Sequence, residues 1–400
     1  MALLDQDELR ELVARLAAIE RPSASHGERR AAQLIEDELR SAGARARLEE
    51  EDAHGTYWWP IGLLTGVAAA AGFARRRSAG AIVGALAAAA VIDDVTGGSQ
   101  WFRRRLLPRR TTVNVVAEVG TEDAERALLI VAHHDAAHSG LVFHPDLPRS
   151  IARRFPGFWR RQQTTPGTLW GAVGGPVLVA LGALLGLRVA RFAGSVLSAG
   201  YAAAMVDIGT RGTVPGANDN LTGVATLISL ARSLRDEPIP GLRVILLSTG
   251  SEESFMEGMQ AFARRHFTML ERERTHVICL DTVGSPHLVA LEGEGMVWMN
   301  EYPKDFLALI NESAEQLGIY LYPNLRLRNA TDGLIALRAG YSTATFGSVD
   351  DFKLPTNYHW PTDTPENVDY GTVADAGRLC RAVLERLATS YSQPARRKKR

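Results

Sequence analysis

The sequence predicts an α/β domain with three layers around a mixed central sheet, interrupted by two apolar helical hairpins. Three observations lead there. At 400 residues the chain exceeds what one hydrophobic core holds, so insertions or a second unit are expected. Short apolar runs at 112–118, 127–132, 244–248, 276–280 and 342–346 alternate with stretches of helical periodicity, the arrangement in which helices cover both faces of a sheet. Two pairs of uncharged stretches break that alternation.

In chain order, Leu9, Leu12, Val13, Leu16 and Ile19 repeat at helical spacing behind Asp5, Asp7 and Glu8. That reads as an amphipathic helix and not as a signal peptide, so the expectation is a start in the cytoplasm. Ser25 with Glu28 forms a capping-box pattern, and a second helix runs to about residue 40 before Gly43 ends it. Residues 57–74 and 78–92 carry no charge, with Arg75, Arg76 and Arg77 between them. Residues 168–187 and 192–206 form a second such pair, with Arg188 and Arg191 at the tip. Their lengths lie at the lower edge of the roughly 17–25 residues that cross a bilayer.

Buried helices of a soluble protein are the bland reading of these stretches. Against it stand four small-residue pairs, Gly62 with Gly66, Gly80 with Gly84, Gly171 with Gly175, and Gly182 with Gly186, because close helix approach replaces the missing hydrophobic drive in lipid. Trp58, Trp59, Trp101, Trp159 and Trp170 lie near the segment boundaries, where an indole suits the headgroup layer. The hairpins, 57–92 and 167–208, are therefore read as transmembrane. The α/β domain is assembled from 1–56, 93–166 and 209–392, and 393–400 is a basic tail.

Lys plus Arg, 45, equals Asp plus Glu, 45, which leaves no net field to gather nucleic acid. The two cysteines, Cys279 and Cys380, supply neither a disulfide framework nor a thiolate metal site. Arginines are denser on the domain side of the hairpins (Arg103, Arg104, Arg105, Arg109, Arg110, Arg149, Arg153, Arg154, Arg160, Arg161) than at the tips, so the positive-inside rule places the domain in the cytoplasm of a multi-pass cell-membrane protein.

Ligands of open α/β sheets gather at the carboxyl ends of strands. Residues just after the apolar runs are His133, His134 and Asp135, then Glu252 and Glu253, then Asp281; Asp219 precedes a helix, and His359 follows the last run. Singly, each has a bland reading: a turn or cap, or for Glu252 and Glu253 an acidic start to a helix. Together they would bury so much negative charge that cations are needed.

The ordered series His-x-Asp, Gly-Ala-x-Asp, Glu-Glu, Asp-Thr-Val-Gly and Tyr-His-x-x-x-Asp-Thr resembles the zinc aminopeptidases related to bacterial leucyl aminopeptidase, aminopeptidase Y and glutamate carboxypeptidase. The segment from Asn357 through Asp369 is its most specific part. The resemblance implies two zinc ions: Asp219 bridging both, Glu253 and His359 completing one site, His133 and Asp281 the other. Asp135 would orient His133, and Glu252 would be the general base. His134 would be a pocket-wall or structural residue, and His138, His144 and His287 surface or packing residues. The second hairpin lengthens the interval between His133 and Asp219 beyond the family pattern, which bears on substrate access.

Two other readings stand beside this one. A single-zinc glutaminyl cyclase shares Asp219, Glu253 and His359 but would not require His133 with Asp281. An inactive receptor or scaffold of the same fold would have no physical need of Glu252. The expected partners are a peptide substrate and the lipid bilayer, while the preferred residue and oligomeric state leave no mark in the sequence.

Overall fold

The computed structural model describes residues 3–121 and 124–390; the basic tail at 393–400 lies outside the described residues. α1 (Gln6–Ala17) starts on a complete capping box, the Asp5 carboxylate accepting from the N–H groups of Asp7 and Glu8 while Glu8 accepts from the N–H of Asp5. α2 (His26–Ser41) is capped by the Ser25 hydroxyl and ends before Gly43, whose φ of 87° is left-handed. The expected reciprocal half of this second box does not form. Glu28 instead turns into the interior, where Ala24, Thr112, Val113 and Ser251 donate to its carboxylate.

Among the described residues one sheet contains seven strands: β1 (Arg45–Ala53), β2 (Arg110–Gly120), β3 (Ala127–His133), β4 (Arg243–Thr249), β5 (Thr275–Leu280), β6 (His287–Ala290) and, after the short side strands β7 (Gly293–Glu294), β8 (Asn300–Glu301) and β9 (Arg326–Leu327), β10 (Ser342–Val349). Their order is β1-β2-β4-β3-β5-β10-β6. β3 is parallel to β4 and β5, and β5 to β10, whereas β1–β2, β2–β4 and β10–β6 are antiparallel.

Proximity in sequence suggests that β2 and β3 pair, and they do not. β4 lies between them, because β3 is buried along its whole length and takes parallel partners on both sides, the position that apolar parallel strands demand. β1 is invisible to an apolar-run criterion: Arg45, Arg47, Glu50 and Glu51 make it a charged edge strand, which discourages edge-to-edge association.

The hairpin helices are α3 (Trp58–Ala71) with α4 (Arg77–Val95), and α8 (Trp170–Leu184) with α9 (Arg188–Thr210). Between them run α5 (Trp101–Leu106), α6 (Asp146–Arg154) and α7 (Pro156–Arg161). The four hairpin helices pack into one bundle, in which α9 lies against α3 and α8, and α4 against α8 and α3. Two of the glycines show why small residues are needed. A Cβ on Gly84 would come within 2.8 Å of the backbone nitrogen of Ala180, and one on Gly182 within 2.5 Å of that of Arg191, so any larger residue would force the helices apart.

Alternate residues of the sheet face two cores. Leu128, Ile130, Val244 and Leu246 meet α1, α2 and three later helices, α10 (Thr222–Asp236), α12 (Lys304–Leu317) and α14 (Tyr370–Ser390). Leu129, Val131, Ile245 and Leu247 meet α11 (Glu257–His266), α13 (Asp332–Arg338) and the domain end of the bundle, through Ile61, Val91, Met205 and Ile208. The bundle therefore belongs to one layer of the fold at its base. Its outer face carries exposed Leu63, Val67, Ile82, Leu86, Leu181, Phe192 and Val196. By length and composition α4 and α9 could cross a membrane, while α3 and α8 are shorter apolar helices. Trp59, Trp101 and Trp170 are exposed. Trp58 is not: it is buried with its ring centroid 4.4 Å from that of His138, so it serves packing and no headgroup layer.

Candidate active site

The parallel strands β3, β4 and β5 all point their carboxyl ends at one place. β3 ends in His133, β4 leads through a short turn to Glu252 and Glu253, and β5 runs into Asp281. Asp219 sits in the irregular turn Ala217–Leu221 that opens α10, and His359 in the loop between β10 and α14. Glu252 and Glu253 precede α11, which begins only at Glu257, so helix-dipole compensation does not account for them.

Six of the predicted site residues come together. His133 Nε2 lies 3.2 Å from Asp219 Oδ1 and 3.9 Å from Glu252 Oε2. His359 Nε2 lies 3.2 Å from Asp219 Oδ2 and 3.2 Å from Glu253 Oε2. Asp135 stands behind His133, its Oδ1 3.4 Å and its carbonyl oxygen 3.2 Å from Nδ1. The Asp135 carboxylate also accepts from the N–H of Glu252 at 3.0 Å, the N–H of Glu253 at 3.1 Å and the hydroxyl of Ser23 at 2.6 Å. One side chain thus orients the imidazole and fixes the turn that carries both glutamates. Asp281 lines the same cavity, without an ion pair to His133.

Burial raises Glu252 and Glu253 above the usual carboxylate range and pushes Asp281 up to about 8, with neighbouring carboxylates adding to each shift. For Asp219 burial acts the same way, but hydrogen bonds from His133 and His359 outweigh it and hold the group low. Such crowding of acids is relieved by cations. The residues fit zinc: imidazole Nε2 and carboxylate oxygens converge, ligand atoms of His133, Asp219 and Glu253 lie within 4.8 Å of one another, and Glu253 Oε1 is buried without a hydrogen-bond donor.

Several further residues shape the site: Arg21 gave no sequence signal, whereas Asp363 and Tyr358 stand in the closing motif with no role assigned to them. Arg21 is fully buried, donating to the carbonyls of His134, Pro215 and Gly216, and so ties the loop after β3 to the turn carrying Asp219. Asp363, inside the closing motif, accepts from the N–H groups of Asn218 at 2.8 Å and Asp219 at 3.1 Å. Tyr358 stacks on His359 at 3.9 Å and 20°. His134 is buried with Nδ1 2.9 Å from the Ser248 hydroxyl and does not line the cavity. His138 packs on Trp58, His144 on Trp360, and His287 pairs with Asp351.

Above these groups a cavity of about 560 Å³ extends from Asp219, Glu252, Glu253, Asp281 and His359 to Tyr201, Met205 and Ile208 of α9. Fold and site together define a class, and comparison narrows it. Residues 205–384 match the model of peptidase family M28, in agreement with the zinc-aminopeptidase resemblance of the motifs. The match takes in Asp219, Glu252, Glu253, Asp281 and His359; His133 and Asp135 lie before it. Among solved structures, the glutaminyl cyclase of Bacteroides thetaiotaomicron bound to N-acetylhistamine is similar at a TM-score of 0.59 and 14% identity, over 96% of this chain and 98% of that one. A Zn-dependent exopeptidase from Parabacteroides distasonis gives 0.56 and 14%, over 96% and 98%. The aminopeptidase from Aneurinibacillus sp. strain AM-1 gives 0.56 and 14%, over 96% and 93%. At these identities the likeness is one of fold. No curated protein matches the chain.

Proposed function

We propose that this chain is an aminopeptidase that hydrolyses N-terminal peptide bonds with two zinc ions and is held in a membrane by its hairpins. One observation carries the reading: His133 and His359 address opposite oxygens of Asp219, each at 3.2 Å. A carboxylate flanked by imidazoles on both sides suits a ligand shared by two cations, and a single-zinc cyclase has no use for the second imidazole. On this reading Asp219 bridges, Glu253 and His359 complete one site, and His133 and Asp281 the other.

The metal pair would supply an acidified water and a polarised scissile carbonyl. The protein's own groups do the rest. Asp135 holds the Nδ1 proton of His133, which leaves Nε2 free as a ligand atom. Glu252, anchored through its backbone to Asp135, receives a proton at its carboxylate and returns it to the departing amine.

For the bundle, the arginine-capped tips favour crossing over stopping halfway. Arginine at a bilayer centre costs about 2.5–3.5 kcal/mol on insertion scales, and Arg75, Arg76, Arg77, Arg188 and Arg191 would share that fate in a shallow hairpin. The arginine bias then sets the catalytic domain on the cytoplasmic face, where the site would meet peptide substrates.

The test uses the full chain in detergent. Metal analysis should return two zinc ions per chain, and free-amine aminoacyl fluorogenic substrates should be hydrolysed while their N-acetylated forms are not. One zinc with cyclisation of an N-terminal glutamine, or bound zinc with no turnover of any substrate, would overturn the reading.

A further inference from the structure

We propose that the site takes peptides whose N-terminal end is a run of apolar residues, of the kind membrane segments leave behind, admitted between α6 and α9. This rests on the aminopeptidase reading, and adds to it a substrate class and a route.

The cavity is larger than a single side chain requires. Its volume of about 560 Å³ falls within the roughly 300–1,000 Å³ of pockets that enclose a whole drug-sized ligand. The acids occupy one part. Elsewhere the wall is mainly apolar, with Phe143, Leu169, Phe255, Met296 and Leu327, and from the inserted hairpin Met205 and Ile208, while Arg149, Asn329 and Asp350 are polar groups set among them. The free N-terminal amine would lie at the acidic end of the cavity, where Glu252 is not engaged as a metal ligand. Side chains of the following residues would lie against apolar surface, where a polar group would be stripped of water with no partner.

The lips point the same way. Leu147 and Ile151 of α6 line the cavity although they are 56% and 44% exposed. α9 lines the same cavity through Ala204, next to exposed Val206. From the end of α6 onward, exposed Phe155 and Phe158 are flanked by the pairs Arg153–Arg154 and Arg160–Arg161, an amphipathic mixture suited to the lipid–water boundary. Apolar lips continuous with an apolar bundle are a liability in water and an advantage when the substrate arrives from lipid.

Two peptides with C-terminal fluorescein, one beginning Leu-Leu-Leu-Ser and one Leu-Ser-Gly-Ser, test this on the detergent-solubilised full chain. Binding is read by fluorescence anisotropy on Glu252→Gln, which slows turnover by about 10² to 10⁴, so binding is read before cleavage; release of leucine by the native chain tests the aminopeptidase reading separately. The apolar peptide should bind at least tenfold more tightly. Leu147→Arg and Ile151→Arg, at exposed positions of α6 that tolerate a charge, should each reduce that ratio at least threefold in the same detergent, with unchanged melting. Equal affinity of the native-lipped chain for both peptides would refute the substrate class, and a ratio untouched by either lip variant would refute the route.

Discussion

Glu28 and Ser251 meet beneath the site, where one carboxylate oxygen of Glu28 accepts both the backbone N–H and the hydroxyl of Ser251, each at 3.0 Å. That oxygen also takes the N–H of Ala24 at 2.7 Å, and its twin takes the Thr112 hydroxyl at 2.8 Å and the N–H of Val113 at 3.0 Å. A single buried acid thus joins α2, β2 and the turn that presents Glu252 and Glu253. Glu28→Ala would strand several buried donors, each worth about 1–3 kcal/mol when unsatisfied. The expected result is a loss of at least about 3 kcal/mol, read as a lower melting temperature, with weaker zinc retention. An unchanged melt would show that the network does not support the turn.

Glu252→Gln should keep the fold and the bound zinc while turnover falls by about 10² to 10⁴, the usual worth of a general base. Steady-state hydrolysis with parallel metal analysis reads both. Near-native turnover would remove Glu252 from the proton transfer.

Asp219 touches both imidazoles, so Asp219→Ala should empty both metal sites, whereas Asp281→Ala should weaken chiefly one. Metal content of the purified variants decides between them. Two zinc ions retained by the Asp219 variant would rule out a bridge.

Orientation is open to chemical labelling. Cys279 and Cys380 are buried and are replaced first to clear the background. Single cysteines at the exposed tip positions Ala79 and Val189 should then react with an impermeant thiol reagent on intact cells, and one at exposed Ser150 should not. The opposite pattern would reverse the topology.

The types and order of the candidate ligands were legible in the sequence, because a polar residue closing a strand is a local pattern: His133 and Asp281 stand directly after apolar runs, and Glu252 and Glu253 a few residues after another. Hairpins announced themselves in the same way, as uncharged stretches with spaced glycines. Contacts between remote segments have no such signature. The place of β4 between β2 and β3, the charged edge strand β1, the burial of Trp58 and the turning of Glu28 from a helix cap into an interior anchor all depend on what lies across the fold. Arg21 belongs with them, since a buried charge is recognisable only once its partners surround it, and so does the role of Asp363, a motif residue whose partners only the fold supplies. The sequence alone determined which acids and imidazoles are candidate ligands, through residue type and spacing. Tertiary structure alone decided how Asp219 is shared between His133 and His359, and that α9 closes the cavity, because such juxtapositions arise from packing between segments that spacing along the chain does not encode.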